Sequence, residues 1–173
     1  AEAEARGRLL AEVMEPIKRQ REQWWQEERD AVKAEVTADF QAQPLFTAIQ
    51  ELRFGKGFNG EETGTPKLDR GAIERDFGAG YLPYLPGATK DGKGHRNAVF
   101  ANEGGMHPDI VAGIFGYPSG RDLLDALVNA PAINEAIEAE TARIMDERHG
   151  DALNDGEIEL IALDAVHSDK RTE

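Results

Sequence analysis

The chain of 173 residues carries 20 lysines and arginines against 33 aspartates and glutamates, and it contains no cysteine. Its net charge of −13 argues against sequence-independent binding to DNA or to an anionic membrane, because both require a cationic face. The lack of cysteine excludes disulfides, thiolate zinc sites and cysteine nucleophiles, and leaves any imidazole chemistry to four histidines. No stretch approaches the roughly 20 apolar residues that span a bilayer, and the N-terminus does not resemble a signal peptide. We therefore expect one globular domain, or one domain with an attached helix.

Residues 1–42 predict one long amphipathic helix. Apolar residues recur at helical spacing from Leu10 to Phe40. Such a helix would reach roughly 60 Å at 1.5 Å per residue, so part of it is expected to project or to pack on another chain. Pro16 is expected either to kink the helix or to start a second one after Glu15, because proline lacks a backbone N–H.

Two adjacent tryptophans, Trp24 and Trp25, lie in this predicted helix. Neighbouring helical residues point about 100° apart, so the two rings are not expected to share one face. Packing within the chain is the leading interpretation for the pair. The alternative is that one ring anchors an intermolecular contact, since aromatic anchors are enriched at the centres of interfaces. The pair is therefore the candidate interface.

Residues 43–173 predict a compact helical domain with little extended structure. The run Ala98–Ala101 is the one convincing extended stretch, and it is too short for a sheet unless a partner strand comes from elsewhere. The pattern predicts an all-α fold. Capping residues, prolines and glycines place its helices at 44–54, 69–77, 108–115, 119–128, 131–149 and 157–170.

Two loops, 55–66 and 87–97, are expected to be mobile because they are rich in glycine and polar residues. The spacing in 55–60 matches G-x-G-x-x-G, but the stretch follows a predicted helix instead of a buried strand, so the context of a nucleotide cradle is missing. The second loop contains the one locally basic stretch of the chain, formed by Lys90, Lys93, His95 and Arg96. The leading interpretation is that these cations are solvated. The alternative is that they contact a phosphate or a carboxylate.

The passage 109–127 has the spacing of a helix-turn-helix pair. Ala112 is a small residue where the two helices would approach each other closely, and Gly116 supplies the turn between them. Ser119 would cap the second helix, and its Leu123 and Leu127 would pack against the first. DNA recognition is disfavoured, because the second helix offers Arg121 alone against Asp122 and Asp125. Structural helix packing is the leading interpretation.

A possible metal or acid–base site consists of His107 with Glu103 and Asp109. The H-E-x-x-H pattern is absent. The simpler interpretation is a turn histidine before Pro108, with Asp109 at the positive end of the following helix dipole. We therefore predict no catalytic, metal or cofactor residue, and we keep these three residues as the alternative site.

Several short motifs in fixed order resemble a segment of the very large polyvalent or internal virion proteins of phages and prophages. The similarity covers roughly residues 44–151, and the order of the motifs is more specific than any one of them. The motifs that carry it are 44–52, 67–70, 72–73, 103–109, 115–120, 135–141 and 147–151. The loop from Thr89 to Asn97 looks like an insertion relative to the family pattern.

Members of this family link peptidase, nuclease, transglycosylase or polymerase modules through helical regions, and they are thought to be packaged in the capsid and delivered with the genome. The resemblance implies a non-enzymatic structural or assembly segment of the helical kind, without cofactor. It implies sibling copies and other virion proteins as partners, with no specific nucleic acid and no integral membrane insertion. The implied location is the virion interior and then the host cell.

Two alternatives remain open at this point. One is a hydrolase acting on peptidoglycan or nucleic acid, with His107 and nearby carboxylates as acid–base groups. The other is an injected acidic regulator that binds a host enzyme, with surface acids that mimic DNA. The helical composition of both ends favours a segment of a longer polypeptide, and removal of an initiator methionine is the alternative explanation for Ala1.

Overall fold

A computed structural model of the chain describes residues 2–91 and 97–150, and this part is mostly helical. The predicted all-α fold is confirmed. None of the described helices combines the length and the apolarity needed to cross a membrane. The predicted helix at 157–170 lies outside the described residues. The elements are α1 (Glu2–Gln41), α2 (Pro44–Phe54), β1 (Leu68–Asp69), α3 (Arg70–Asp76), a 3-10 helix (Ala79–Tyr84), β2 (Phe100–Ala101), α4 (Pro108–Ile114), α5 (Gly120–Val128) and α6 (Ile133–His149).

The described residues divide into two compact units, one formed by residues 2–36 with 137–150 and the other by residues 37–91 with 97–136. The sequence had placed the boundary near residue 42 and had assigned all of α6 to the second part. In the structure, residues 137–149 of α6 fall in the same unit as residues 2–36 of α1.

The long first helix is confirmed, and Pro16 lies inside it. The alternative in which a second helix starts after Glu15 is therefore wrong. Proline removes one hydrogen bond from the helix. A new helix would need a new nucleus, which is more costly than the loss of one bond in an established helix.

In the first unit, α6 runs antiparallel to α1. Both Arg29 and Lys33 of α1 form ion pairs with Glu138, near the beginning of α6. His149, at the end of α6, lies beside Glu28. The hydrogen bonds from Lys33 and Arg29 lower the pKa of Glu138. Apolar residues of the two helices are buried in this unit: Val32, Val36, Ile137 and Met145.

The second unit has its own apolar core, to which several of its helices and both of its short strands contribute. Its fully buried side chains include Leu52, Leu68, Ile73, Val99, Val111, Leu123, Leu124 and Leu127. Of these positions, the sequence analysis predicted Leu123 and Leu127, as the two leucines that pack back in the helix pair.

The short extended run has a partner strand within the chain. Strands β1 and β2 pair in parallel, with Leu68 opposite Phe100 and Asp69 opposite Ala101. Asp69 also caps α3, since its side chain accepts a hydrogen bond from the backbone N–H of Gly71 at 3.0 Å. The cap was predicted, whereas the strand pairing was not, because no local pattern marks a strand of two residues.

Helices α4 and α5 form the predicted helix pair. Gly116 has the positive φ of +80° that the turn requires, and the Ser119 hydroxyl accepts a hydrogen bond from the N–H of Asp122 at 3.2 Å. Ala112, Leu123 and Leu127 are buried as expected.

The loop 55–66 is organised by short-range hydrogen bonds. Its two sides form an antiparallel bridge between Lys56 and Glu62, and the side chain of Asn59 accepts a hydrogen bond from the N–H of Glu61 at 3.1 Å. The mobility of this loop stays a prediction. Residues 92–96 of the second predicted loop, 87–97, lie outside the described residues.

We expect Gly120→Ala to destabilise the fold by about 1–3 kcal/mol. A Cβ atom at Gly120 would lie 2.7 Å from the Asp109 carboxylate and 2.8 Å from both the Asp109 nitrogen and the Phe77 ring. The matched control is Gly113→Ala, because a Cβ atom there meets nothing within 4 Å. In the control, the helix propensity of alanine should stabilise α4 by about 0.5–1 kcal/mol. Urea unfolding measures both changes, and equal effects would contradict the close packing at Gly120.

Candidate functional site

His107 caps the N-terminus of α4. Its Nδ1 atom accepts a hydrogen bond from the backbone N–H of Asp109 at 3.0 Å. Its Nε2 atom lies 2.8 Å from a carboxylate oxygen of Asp76, at the end of α3. The Phe77 ring packs beside the imidazole, with the ring centroids 5.6 Å apart.

These two contacts determine the tautomer of His107. An Nδ1 atom that accepts an N–H must be unprotonated, so in the neutral ring the proton is on Nε2 and is donated to Asp76. Both ring nitrogens are therefore occupied by groups of the protein. The arrangement positions a helix, and it leaves no ring nitrogen free to accept a proton from a substrate.

The structure brings together two of the three residues of the alternative site. Asp109 lies beside His107, and its Oδ1 atom accepts a hydrogen bond from the N–H of Gly120 at 2.8 Å. Glu103 is exposed and makes no hydrogen bond or ion pair in the part of the chain that the structure describes. In those same ranges, no group of three or more His, Asp or Glu side chains could hold a metal ion.

Sequence reasoning missed Asp76 as the partner of His107. The two residues are 31 positions apart, and no local pattern joins them. The pKa of Asp76 is lowered, first by its hydrogen bond from Arg75 and then by the one from His107.

The two tryptophans of α1 lie beside one imidazole. The ring centroid of Trp24 is 4.8 Å from that of His149, with an edge-on angle of 79°, and that of Trp25 is 6.3 Å away. Both tryptophans are half-buried. The pair thus has a packing role within the first unit, and its role as an interface stays a prediction.

An apolar groove of about 410 Å³ lies in the second unit, between α2, the 3-10 helix and the turn that joins α5 to α6. Three aromatic rings at this groove are exposed: Phe54, Phe58 and Tyr84. Tyr84 is the most exposed of the three, at 73%. The sequence did not predict the groove, because these rings come from three separate segments.

The charge of the groove differs from that of the rest of the chain. None of the described residues that line it is an aspartate or a glutamate, and its one charged residue is Arg53. The Nε atom of Arg53 donates a hydrogen bond to the carbonyl of Asn97 at 2.7 Å, and its guanidinium lies 4.9 Å from the centroid of Phe54. Within the described ranges, no hydrogen bond uses its two terminal nitrogens. The guanidinium is thus held in place with its terminal nitrogens available.

A second cation lies close to this arginine. Lys67 donates a hydrogen bond to the carbonyl of Ala98, next to the residue that Arg53 contacts. Burial lowers the pKa of Lys67, and the charge of Arg53 lowers it further. Lys67 does not line the groove, so among the described residues Arg53 is the one cation of its lining.

Comparisons with known proteins give no relative: no protein-family model matches the chain, and neither a curated protein nor a solved structure is significantly similar to it.

We expect His107→Ala to destabilise the protein by about 1 kcal/mol, because it removes an N-cap acceptor. The contrasting variant is His107→Asn, since asparagine is a good N-cap residue and can accept the same N–H. His107→Asn should keep most of the stability in urea unfolding. Equal losses in the two variants would contradict the capping role.

We expect Asp76→Asn to reduce the acid sensitivity of the fold. A carboxylate whose folded pKa lies below its unfolded value of about 3.9 stabilises the protein above that value, and the contribution is lost as the pH falls through the folded pKa. The variant should therefore lose less stability than the parent below about pH 4, measured by urea unfolding at several pH values. Glu103→Gln serves as the control, because Glu103 makes no described hydrogen bond, and a similar change in that control would refute the role of Asp76.

Proposed function

We propose that the chain is a non-enzymatic, protein-binding segment of a large internal virion protein of a phage or prophage. In this role it assembles with sibling copies and other virion proteins during genome delivery. The observation that carries the proposal is the apolar groove, whose exposed rings of Phe54, Phe58 and Tyr84 provide a surface for a protein partner. Contiguous exposed apolar patches are a feature of protein–protein interaction sites.

The positions of the family-like motifs support a helical packing module. A Cβ atom at Gly105 would lie 2.6 Å from the backbone of Leu68 and Asp69, so the motif 103–109 needs glycine where it passes β1. In the motif 115–120, Ser119 is a helix cap and Gly120 is a close approach. Both motifs thus have packing roles that need no reactive group.

The hydrolase alternative receives no comparable support from the residues it named. The imidazole of His107 is engaged at both nitrogens, and Glu103 points to no described partner. A general base needs a nitrogen or oxygen within reach of the proton that it removes.

The proposal predicts that the full chain associates with itself. In sedimentation velocity, the weight-average sedimentation coefficient should rise with protein concentration, because each copy exposes apolar surface that a second copy can cover. The same preparation should not hydrolyse peptidoglycan or nucleic acid.

Two outcomes would overturn this proposal. A sedimentation coefficient that stays at the monomer value over the whole concentration range would refute assembly with sibling copies. Hydrolysis by the parent chain that disappears in His107→Ala would instead establish the enzyme alternative.

A further inference from the structure

The large exposed apolar side chains of the second unit fall into two sets. One set is the groove, with Phe54, Phe58 and Tyr84. The other set is the α4 ridge, which we define as Met106, Ile110 and Ile114. No residue of the α4 ridge lines the groove.

The α4 ridge is convex and helical. Ile110 and Ile114 are 55% and 53% exposed, and they lie four residues apart, on the same face of α4. Met106 lies two residues before the helix begins and is also exposed. Apolar anchors at this spacing are the feature by which a helix binds in an apolar groove.

We infer that the groove of one copy binds the α4 ridge of a second copy, with Arg53 of the first copy paired to Glu103 of the second. The inference rests on the proposed function, in which copies of the chain assemble, and it specifies the two surfaces that meet. The concave surface and the convex surface are both apolar, and each lacks a described partner that would cover it within the chain.

The charges of the two surfaces are complementary. Arg53 is held by Asn97 and Phe54, with its terminal nitrogens available to a carboxylate. Glu103 is exposed three residues before Met106, and its carboxylate has no partner among the described residues. In the proposed contact, Glu103 at the end of the ridge therefore meets Arg53 in a groove whose described lining has no acid. A carboxylate in the lining would repel Glu103.

The contact joins two different surfaces, so it is heterologous. A heterologous contact produces an open chain unless the rotation closes a ring, and every open chain keeps one groove and one ridge unoccupied at its ends. Growth should consequently continue past the dimer as the concentration rises.

A complementation experiment tests this geometry. The groove-defective variant carries Phe54→Ser and Tyr84→Ser, and the ridge-defective variant carries Ile110→Ser and Ile114→Ser. Each variant alone lacks one half of the contact and should sediment as a monomer. An equimolar mixture should form a one-to-one dimer and nothing larger, because it contains one intact groove and one intact ridge per pair.

The control is Leu9→Ser, which removes an exposed apolar side chain of α1 that belongs to neither surface. This variant should associate as the parent chain does. Circular dichroism and urea unfolding establish that every variant is folded, as expected for substitutions at exposed positions.

The possible failures are distinct. A parent chain that associates, together with a variant mixture that stays monomeric, would overturn the groove-and-ridge contact and leave the proposed assembly intact. A parent chain that stays monomeric at all concentrations would overturn both.

A charge exchange tests the pairing of Arg53 with Glu103 independently. The single variants Arg53→Glu and Glu103→Arg should each weaken association by about tenfold or more, because each places like charges together. The chain that carries both changes should recover most of the parent affinity. Recovery cannot come from restored folding, since that chain still lacks the hydrogen bond from Arg53 to Asn97. Failure to recover would refute the pairing.

Discussion

The start of α4 is the point on which the second unit depends. The first N–H groups of a helix have no partner within the helix, and here side chains of the adjacent turn supply the acceptors. His107 accepts from Asp109, and Asp109 in turn accepts from Gly120 at the start of α5. Because His107 also reaches Asp76, the beginnings of α4 and α5 are tied to the end of α3. The absence of a side chain at Gly120 permits this approach.

This arrangement determines which face of α4 is exposed. Val111 and Ala112 are buried against the core, so Ile110 and Ile114 must face outward. A rotation that buried the isoleucines would remove the valine from the core and would break the bonds at the cap. The exposed apolar ridge is therefore a consequence of the same contacts that hold the helices together.

Local signals in the sequence predicted the helices and their caps, since Asp69 and Ser119 act within three residues of their own positions. Contacts between distant segments were not predictable in this way. The partner of β2, the carboxylate beside His107 and the groove all depend on residues that meet only after folding. At Pro16 a local signal was misleading: proline favours a break in the helix, but α1 continues through it as one helix of 40 residues.

The net charge limits how strongly copies of this chain can associate. Two molecules of charge −13 repel each other, and at physiological ionic strength that repulsion extends over about 8 Å. Apolar burial acts only at contact, so the attractive surfaces must be free of the acids that cover the remainder of the chain. The described lining of the groove contains no acid, and its one charged residue is Arg53. A carboxylate at that position would repel a second acidic molecule. In the self-association that we propose, short-range apolar attraction is opposed by long-range repulsion, so the contact should weaken as the ionic strength falls.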